Sequence, residues 1–415
     1  MALQGDGALW EIRDSGDDLN GAYFYNRNPG TSVDYSGQDV AQADFVNLTT
    51  SGAASTTLTD GAAGGLFTAA MEGNGIWIVA SGNFVAGYYE IITRTDGDNV
   101  ILDRSPTPGG AGANGAGKVG GGRATITDPF VDNILAGATV WIKDGAYTLP
   151  AIISSANMGT AALPIWVIGY NTTRGDEPID ADMPSIDCTA NWYFILQAWW
   201  YGRNLNFTGG SSYVLRLTGT YARALNCKVR NTSGVANRHA IYANGVNTLI
   251  EDCQAISDNG IGIYAGGNCL VRFCETKDNG ATGIELLGNA DAKENIVHNS
   301  PTGIKALGTP VTIEGNTIDG CSAAGIDLQA FTCAELLNNI LSNNLVGALA
   351  SASNRSNNLD YNDFFTNGTD VTNLVKGANA LAVDPEYVNR AGDNFDLLST
   401  SPLLDAGKRI RKGVG

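Results

Sequence analysis

From Ala240 onward an apolar pair returns along the chain at a nearly fixed interval. Ala240-Ile241, Gly262-Ile263, Gly283-Ile284, Gly303-Ile304, Gly325-Ile326 and Gly347-Ala348 follow one another at steps of 22, 21, 20, 22 and 22 residues. A second column follows at gaps of 26, 21, 21, 21 and 23 residues: Cys227, Cys253, Cys274, Asn295, Asn316 and Asn339. Three residues before each stands an apolar side chain, Ala224, Ile250, Val271, Ala292, Ile313 or Leu336, and a polar turn such as "SDNG", "KDNG" or "HNS" follows. Each repeat thus holds two or three short β runs separated by turns. A period of 20 to 22 residues is too short for a βαβ unit, which takes about 30 or more. It suits one coil of a parallel β-solenoid, where each coil pairs only with its neighbours. Parallel crossovers are right-handed in nearly all cases, so the expected fold is all-β, a right-handed parallel β-helix over 119–383.

The two columns also assign directions. An inward Asn at a coil corner satisfies turn backbone groups and the Asn of the next coil, as amides do in stacked ladders. Cys227, Cys253 and Cys274 continue that column as small buried groups. The residue after each Gly-Ile pair points outward and gives one strip: Tyr242, Tyr264, Glu285, Lys305 and Asp327. Rungs lie about 4.8 Å apart, which sets Glu285 and Asp327 about 9–10 Å apart with Lys305 between them. That spacing is at the upper edge of the carboxylate pair of an inverting glycosidase, and the tyrosines offer a surface for sugar. Lys305 is expected to hold both carboxylates ionised, which suits a charge ladder better than a general acid. A second outward strip, Glu251, Arg272, Lys293 and Glu314, alternates in sign and reads as structural.

Composition narrows the picture. Of 415 residues 53 are Gly and 16% are charged, which favours turns and short strands over long helices. The net charge of −17 argues against a nucleic-acid groove or an anionic membrane surface. The sequence has no apolar run long enough to insert in a membrane, and its start lacks the pattern of a signal peptide. Folding in a reducing cytoplasm is therefore expected, with the seven Cys as thiols. No cofactor and no metal are expected: Cys253 and Cys274 are ladder positions rather than zinc ligands beside Cys269, and "DSGDDLNG" lacks the first ligand of a calcium loop. Two His leave little for a Ser-His-Asp triad. The stretch "NWYFILQAWWYGRN" places Trp192, Trp199, Trp200 and Tyr201 where a strand of period two cannot turn all of them inward, so an exposed patch is expected, as a subunit interface or a glycan platform.

"GATVWIKDGAYTL" resembles the first-coil signature of right-handed β-helix, pectate-lyase-like proteins, where it follows a short capping helix, here expected in "ATITDPFVDNILAG". "ALWEIRDSGDDLNG" is similar to the strand before that helix, and "DPEYVNRAGDNFDLLSTSPLLDAG" to the ending of many such proteins. The resemblance implies a solenoid cap over 1–21 and a C-terminal cap with a basic tail over 384–415. Between them 22–118 reads as an inserted β module, with strands in "GIWIVA", "YYEIITRT" and "NVILDRS", a hairpin at Asp96-Gly97 and a flexible Gly-rich linker at 109–122. Its opening "DYSGQDVAQ" is similar to insertions in bacteriophage β-helix proteins. The calcium-binding Asp cluster with a catalytic Arg of pectate lyases, and the "NTD", "DD", "GHG" and "RIK" of polygalacturonases, are not found on the strip.

These readings lead to a virion surface protein, a tailspike, head spike or decoration protein. It is expected to be a homotrimer with capsid or tail components and host surface polysaccharide as partners. The alternatives are a glycan-cleaving hydrolase or lyase using Glu285 and Asp327, and a bacterial surface adhesin.

Overall fold

The computed structural model describes residues 7–62, 64–127, 133–189, 193–210, 212–308, 310–329, 334–351 and 358–407. They form two compact units, 1–187 with 197–206, and 188–196 with 207–415.

In the first unit, Leu9–Ile12 pairs antiparallel with Tyr23–Phe24 and parallel with Thr139–Lys143. Thr139–Lys143 pairs in turn with Ile165–Tyr170, and that strand with Trp200–Arg203, all parallel. Residues 43–119 close into a six-stranded antiparallel barrel in the order Ala43–Thr49, Thr57–Asp60, Asn99–Leu102, Gly87–Arg94, Gly75–Ile78, Gly115–Val119. Its core includes Phe45, Leu48, Leu58, Phe67, Ile76, Ile91 and Val119.

The inserted module thus has strands at the three apolar runs, but the glycine stretch differs from a flexible linker. Gly115–Val119 is a barrel strand paired with both Ala43–Thr49 and Gly75–Ile78. Its glycines serve packing: a Cβ on Gly112 or Gly115 would lie 2.6 Å from the Phe84 ring. The centre of the expected capping helix lies at 128–132, outside the described residues.

A buried ionic cluster organises this unit. The fully buried Glu11 carboxylate accepts from Arg174 Nε at 2.7 Å, from Arg13 Nη1 at 3.2 Å and from the Tyr170 hydroxyl. Arg174 also pairs with Asp34, and Arg13 with Asp39, so one carboxylate on the first strand ties 22–118 to the coil strand Ile165–Tyr170.

The second unit is the solenoid, with three parallel sheets. The first sheet includes Arg223–Leu225, Leu249–Glu251, Leu270–Arg272, Asp291–Lys293, Val311–Glu314, Ala334–Leu337 and Asn358–Asp360. The second runs from Lys228–Asn231 through Gln254–Ser257, Glu275–Lys277, Ile296–His298, Thr317–Asp319 and Ile340–Ser342 to Asp363–Phe365. The third has nine strands: Phe194–Leu196, Leu215–Leu217, His239–Ala243, Ile261–Ala265, Thr282–Leu286, Thr302–Ala306, Ala324–Leu328, Val346–Ala350 and Thr369–Thr372. Ile241, Ile263, Ile284, Ile304, Ile326 and Ala348 form one fully buried column, and Ala224, Ile250, Val271, Ala292, Ile313 and Leu336 another.

The corner between the first and second sheets carries the Cys/Asn column. The residue before each ladder position takes positive φ: Asn226, Asp252, Phe273, Glu294, Gly315, Asn338 and Tyr361. That turn sends the next side chain inward. Cys227 N–H donates to Cys253 Sγ at 3.4 Å and Cys274 N–H to Asn295 Oδ1 at 3.0 Å. Asn295, Asn316 and Asn339 then repeat one pattern, each donating its backbone N–H and Nδ2 to the next Oδ1, and the column ends on Asn362. The corner between the second and third sheets has a similar ladder that the sequence reading did not resolve. Ser257 N–H donates to Asn279, Asn279 to Ser300, Cys321 to Asn344 and Asn344 to Asn367. Cys188, Cys227, Cys253, Cys269, Cys274 and Cys321 are buried, and burial pushes the Cys253 thiol well above the ordinary range. Cys333 lies outside the described residues.

The C-terminal residues fold back along the second sheet as a hairpin, Tyr387–Asn389 with Asn394–Leu397. A cavity of about 200 Å³ lies between Asn338, Tyr361, Asp363, Leu381, Leu397 and Leu403. Asp363 is buried there with Oδ1 accepting from Val383 N–H at 2.9 Å and Oδ2 without a protein partner. Burial, reinforced by Asp370 and Asp384, pushes its carboxyl up to about 6. A raised carboxyl favours the folded state below its unfolded value and loses that contribution as pH rises through the folded one. Stability is therefore expected to fall between about pH 4 and pH 6 from this group. Asp363→Asn should flatten that slope and raise the urea midpoint at pH 7.5. An unchanged midpoint and slope would contradict the assignment.

Candidate functional site on the third sheet

The third sheet presents the outward strip. Arg216 pairs in register with Tyr242, Tyr242 with Tyr264, Tyr264 with Glu285, Glu285 with Lys305 and Lys305 with Asp327. Glu285 and Asp327 therefore stand two rungs apart with Lys305 between them. The column rule, extended one coil toward the N-terminus from Ile241 to Leu215, adds Arg216 to the strip, so an arginine does join it.

The tyrosines are part of a larger aromatic cluster. Tyr242 and Tyr264 stack on each other at 4.6 Å and 13°, which uses their facing surfaces and turns ring edges outward. A sugar is thus offered phenol edges rather than an open face between the two rings. Tyr213 lies 4.6 Å from Tyr242, and His239 packs edge-on to Tyr242 and Tyr264 at 5.2 and 5.4 Å. The Arg216 guanidinium sits 5.3 Å from the Tyr213 ring and 5.6 Å from Tyr242, a cation–π arrangement. Burial, with Arg238 nearby, lowers His239 to about 4, so its ring is neutral. Sequence reasoning did not find Tyr213 or His239, because neither occupies the column after the Gly-Ile pair.

Several polar atoms here are buried without protein partners: Arg216 Nε, Arg238 Nε, His239 Nδ1 and Asp327 Oδ1. A buried unsatisfied polar atom costs about 1–3 kcal/mol, so ligand or water atoms that meet these groups gain free energy. Arg238 also reaches Ser212 Oγ at 3.2 Å.

The carboxylates correct one expectation. Lys305 Nζ lies 3.6 Å from Glu285 Oε2 and Gln329 Nε2 donates to Asp327 Oδ2 at 2.7 Å, yet both carboxyls are raised. Burial outweighs Lys305 at each, so the net shift is upward rather than the downward one that the lysine alone would give. The second outward strip pairs as charge matching requires, with Arg272–Glu251 at 2.9 Å and Lys293–Glu314 at 3.3 Å.

The aromatic stretch differs from an exposed patch. Trp200 is 1% and Tyr201 6% exposed, and Trp199 is half-buried; Trp192 lies outside the described residues. Trp200 Nε1 donates to Asn157 O at 3.0 Å and Tyr201 packs edge-on to Trp166 at 4.9 Å. Trp200 stands in register with the buried Ile165, and Tyr201 lies beside Trp166 of the neighbouring strand, a contact within the sheet that period-two reasoning does not count. The Asp14–Gly21 turn also has protein partners, Asp17 pairing with Lys118 at 2.6 Å and Asp18 accepting from Thr125 N–H at 2.9 Å.

A family model described as "Right handed beta helix region" matches residues 239–384, the coils whose three parallel sheets are set out above. The fold is a right-handed parallel β-helix. Pectate lyase Pel9A shares it, with a TM-score of 0.51 at 12% identity over 68% of this chain and 86% of that one. A mannuronic acid specific polysaccharide family 6 lyase from human gut microbiota gives a TM-score of 0.37 at 13% identity, covering 60% of this chain and 81% of its own. The periplasmic alginate epimerase AlgG, as a double mutant, gives 0.34 at 11% identity, covering 60% and 78%. No curated protein matches the sequence. On this β-helix the strip from Arg216 to Asp327 crosses six successive rungs of one sheet.

Proposed function

We propose that this β-helix binds a polysaccharide along the outward face of its third sheet. The observation that carries the reading is a line of half-buried tyrosines flanked by hydrogen-bonding atoms that the protein leaves unsatisfied. Successive rungs repeat every 4.8 Å or so, close to the length of a sugar residue, so a chain can meet the same kind of group again and again. A pectate lyase with the same fold is named for a polysaccharide substrate, which agrees with this reading. We extend the proposal to an attachment protein on a bacteriophage particle, with the barrel of 43–119 as the docking module; the "DYSGQDVAQ" resemblance supports that context.

The test is equilibrium binding of capsular and lipopolysaccharide fractions by the purified protein. Arg216→Ala and Tyr242→Ala should each weaken binding about 10-fold or more, the value of one good hydrogen bond to a charged group. Binding that both variants retain would place the glycan elsewhere, and no binding by the parent would end the proposal. A second reading has one observation in its favour: the raised carboxyls of Glu285 and Asp327 suit a general acid. Reducing ends released by the parent and lost in Glu285→Gln with Asp327→Asn would select cleavage; the binding account expects none.

A further inference from the structure

We propose that Glu275, His298 and Asp393 form a site for a divalent transition-metal ion, with Zn²⁺ as its probe, where the C-terminal hairpin closes over the second sheet. The site lies outside the strip and does not rest on the glycan reading. One ligand atom from each of the three residues lies within 4.8 Å of the others. His298 Nε2 is 3.2 Å from Glu275 Oε1, and Nδ1 is 3.6 Å from Asp393 Oδ1. Ligands on a tetrahedral ion with bonds of about 2.0–2.1 Å stand roughly 3.3–3.4 Å apart, and the imidazole gives an ion one of its two nitrogens, so ligand atoms now within 4.8 Å of one another close by about 1.5 Å at most.

The independent observation is the imidazole itself. Its side chain is 1% exposed, yet Nδ1 has no hydrogen-bond partner. A buried ring nitrogen that faces a carboxylate without bonding to it gains from an ion between them. The ring is held in place by Phe395 at 4.9 Å, one strand of the hairpin that also supplies Asp393. Asp393 sits at φ 60°, the left-handed turn that aims its carboxylate back at the coil. Gln254 Nε2 donates to Glu275 Oε2 at 2.6 Å and fixes that carboxylate from behind. Asp393 is 41% exposed, which leaves an approach and room for water as the fourth ligand.

Lys277 is the competitor. Its Nζ lies 3.1 Å from Glu275 Oε1 and 3.2 Å from Asp393 Oδ2, an ammonium between the carboxylates. One nitrogen and two oxygen donors suit Zn²⁺ or its first-row neighbours and not Ca²⁺ or Mg²⁺, which take oxygen. The ion therefore binds by displacing Lys277 toward solvent, and removing that charge strengthens binding.

The experiment uses the full chain, stripped with EDTA, in thermal melts with Zn²⁺ and by visible absorption with Co²⁺. The melting temperature should rise with Zn²⁺ but not with Mg²⁺, and Co²⁺ should give tetrahedral ligand-field bands. Lys277→Met should tighten Zn²⁺ about 10-fold or more, and Asp393→Asn, a change at an exposed turn that keeps the fold, should weaken it by a similar factor. No Zn²⁺ shift and no Co²⁺ bands in either the parent or Lys277→Met would overturn the site. So would a shift that Asp393→Asn leaves intact, or one that Mg²⁺ reproduces.

Discussion

Replacing Asn316 with leucine lowers the free energy of unfolding by roughly 3–5 kcal/mol. Asn316 Oδ1 accepts from both the backbone N–H and Nδ2 of Asn295, at 3.0 and 2.9 Å, and its own Nδ2 donates to Ala292 O at 3.0 Å. All of this is buried: Asn316 is 0% and Asn295 1% exposed. Leucine strands two donors and a carbonyl at once, and each stranded group costs about 1–3 kcal/mol. Neighbouring Asn339 keeps its bond from the residue-316 backbone N–H but loses the one from Asn316 Nδ2, so the ladder weakens on both sides, more on the side of Asn295. Urea unfolding at pH 7 measures it. A midpoint within error of the parent protein would mean that the ladder does not hold the corner.

The second large effect is expected in the other unit. Glu11→Ala removes the one carboxylate shared by Arg13, Arg174 and Tyr170 and should cost about 3–5 kcal/mol, the usual result of leaving buried charge without its partner. Burial raises the Glu11 carboxyl despite both arginines, the mark of a site that water does not solvate. Salt should change the loss little, since a buried pair is poorly screened. Because Arg174 also holds Asp34, protection from hydrogen exchange should fall in 9–12 and 165–170 together with the segment around 34–39. Unaltered exchange there would show that the cluster is not what joins them.

What was legible follows from what repeats. The coil length could be read because Gly-Ile and the Asn column recur at one spacing, and the strip followed from it as far as Asp327. The barrel strand Gly115–Val119 could not, because glycines chosen to admit the Phe84 ring have the composition of a linker. The second Asn ladder was hidden by its mixed membership of Asn279, Ser300, Cys321, Asn344 and Asn367. Trp200 and Tyr201 were misplaced because alternation says which side of a strand a residue takes, not how far its neighbours bury that side. Glu275, His298 and Asp393 come from different coils and a returning hairpin, and Glu11 meets Arg174 across 163 positions, so no local pattern marks either cluster.

The central claim is that glycan lies along the third sheet. The most direct measurement is a crystal structure of the full chain with an oligosaccharide from the fraction that it binds. The account predicts sugar density within hydrogen-bonding distance of Arg216 and Tyr242, extending along the rungs toward Asp327. Density at full occupancy on another face, with that strip empty, would contradict it.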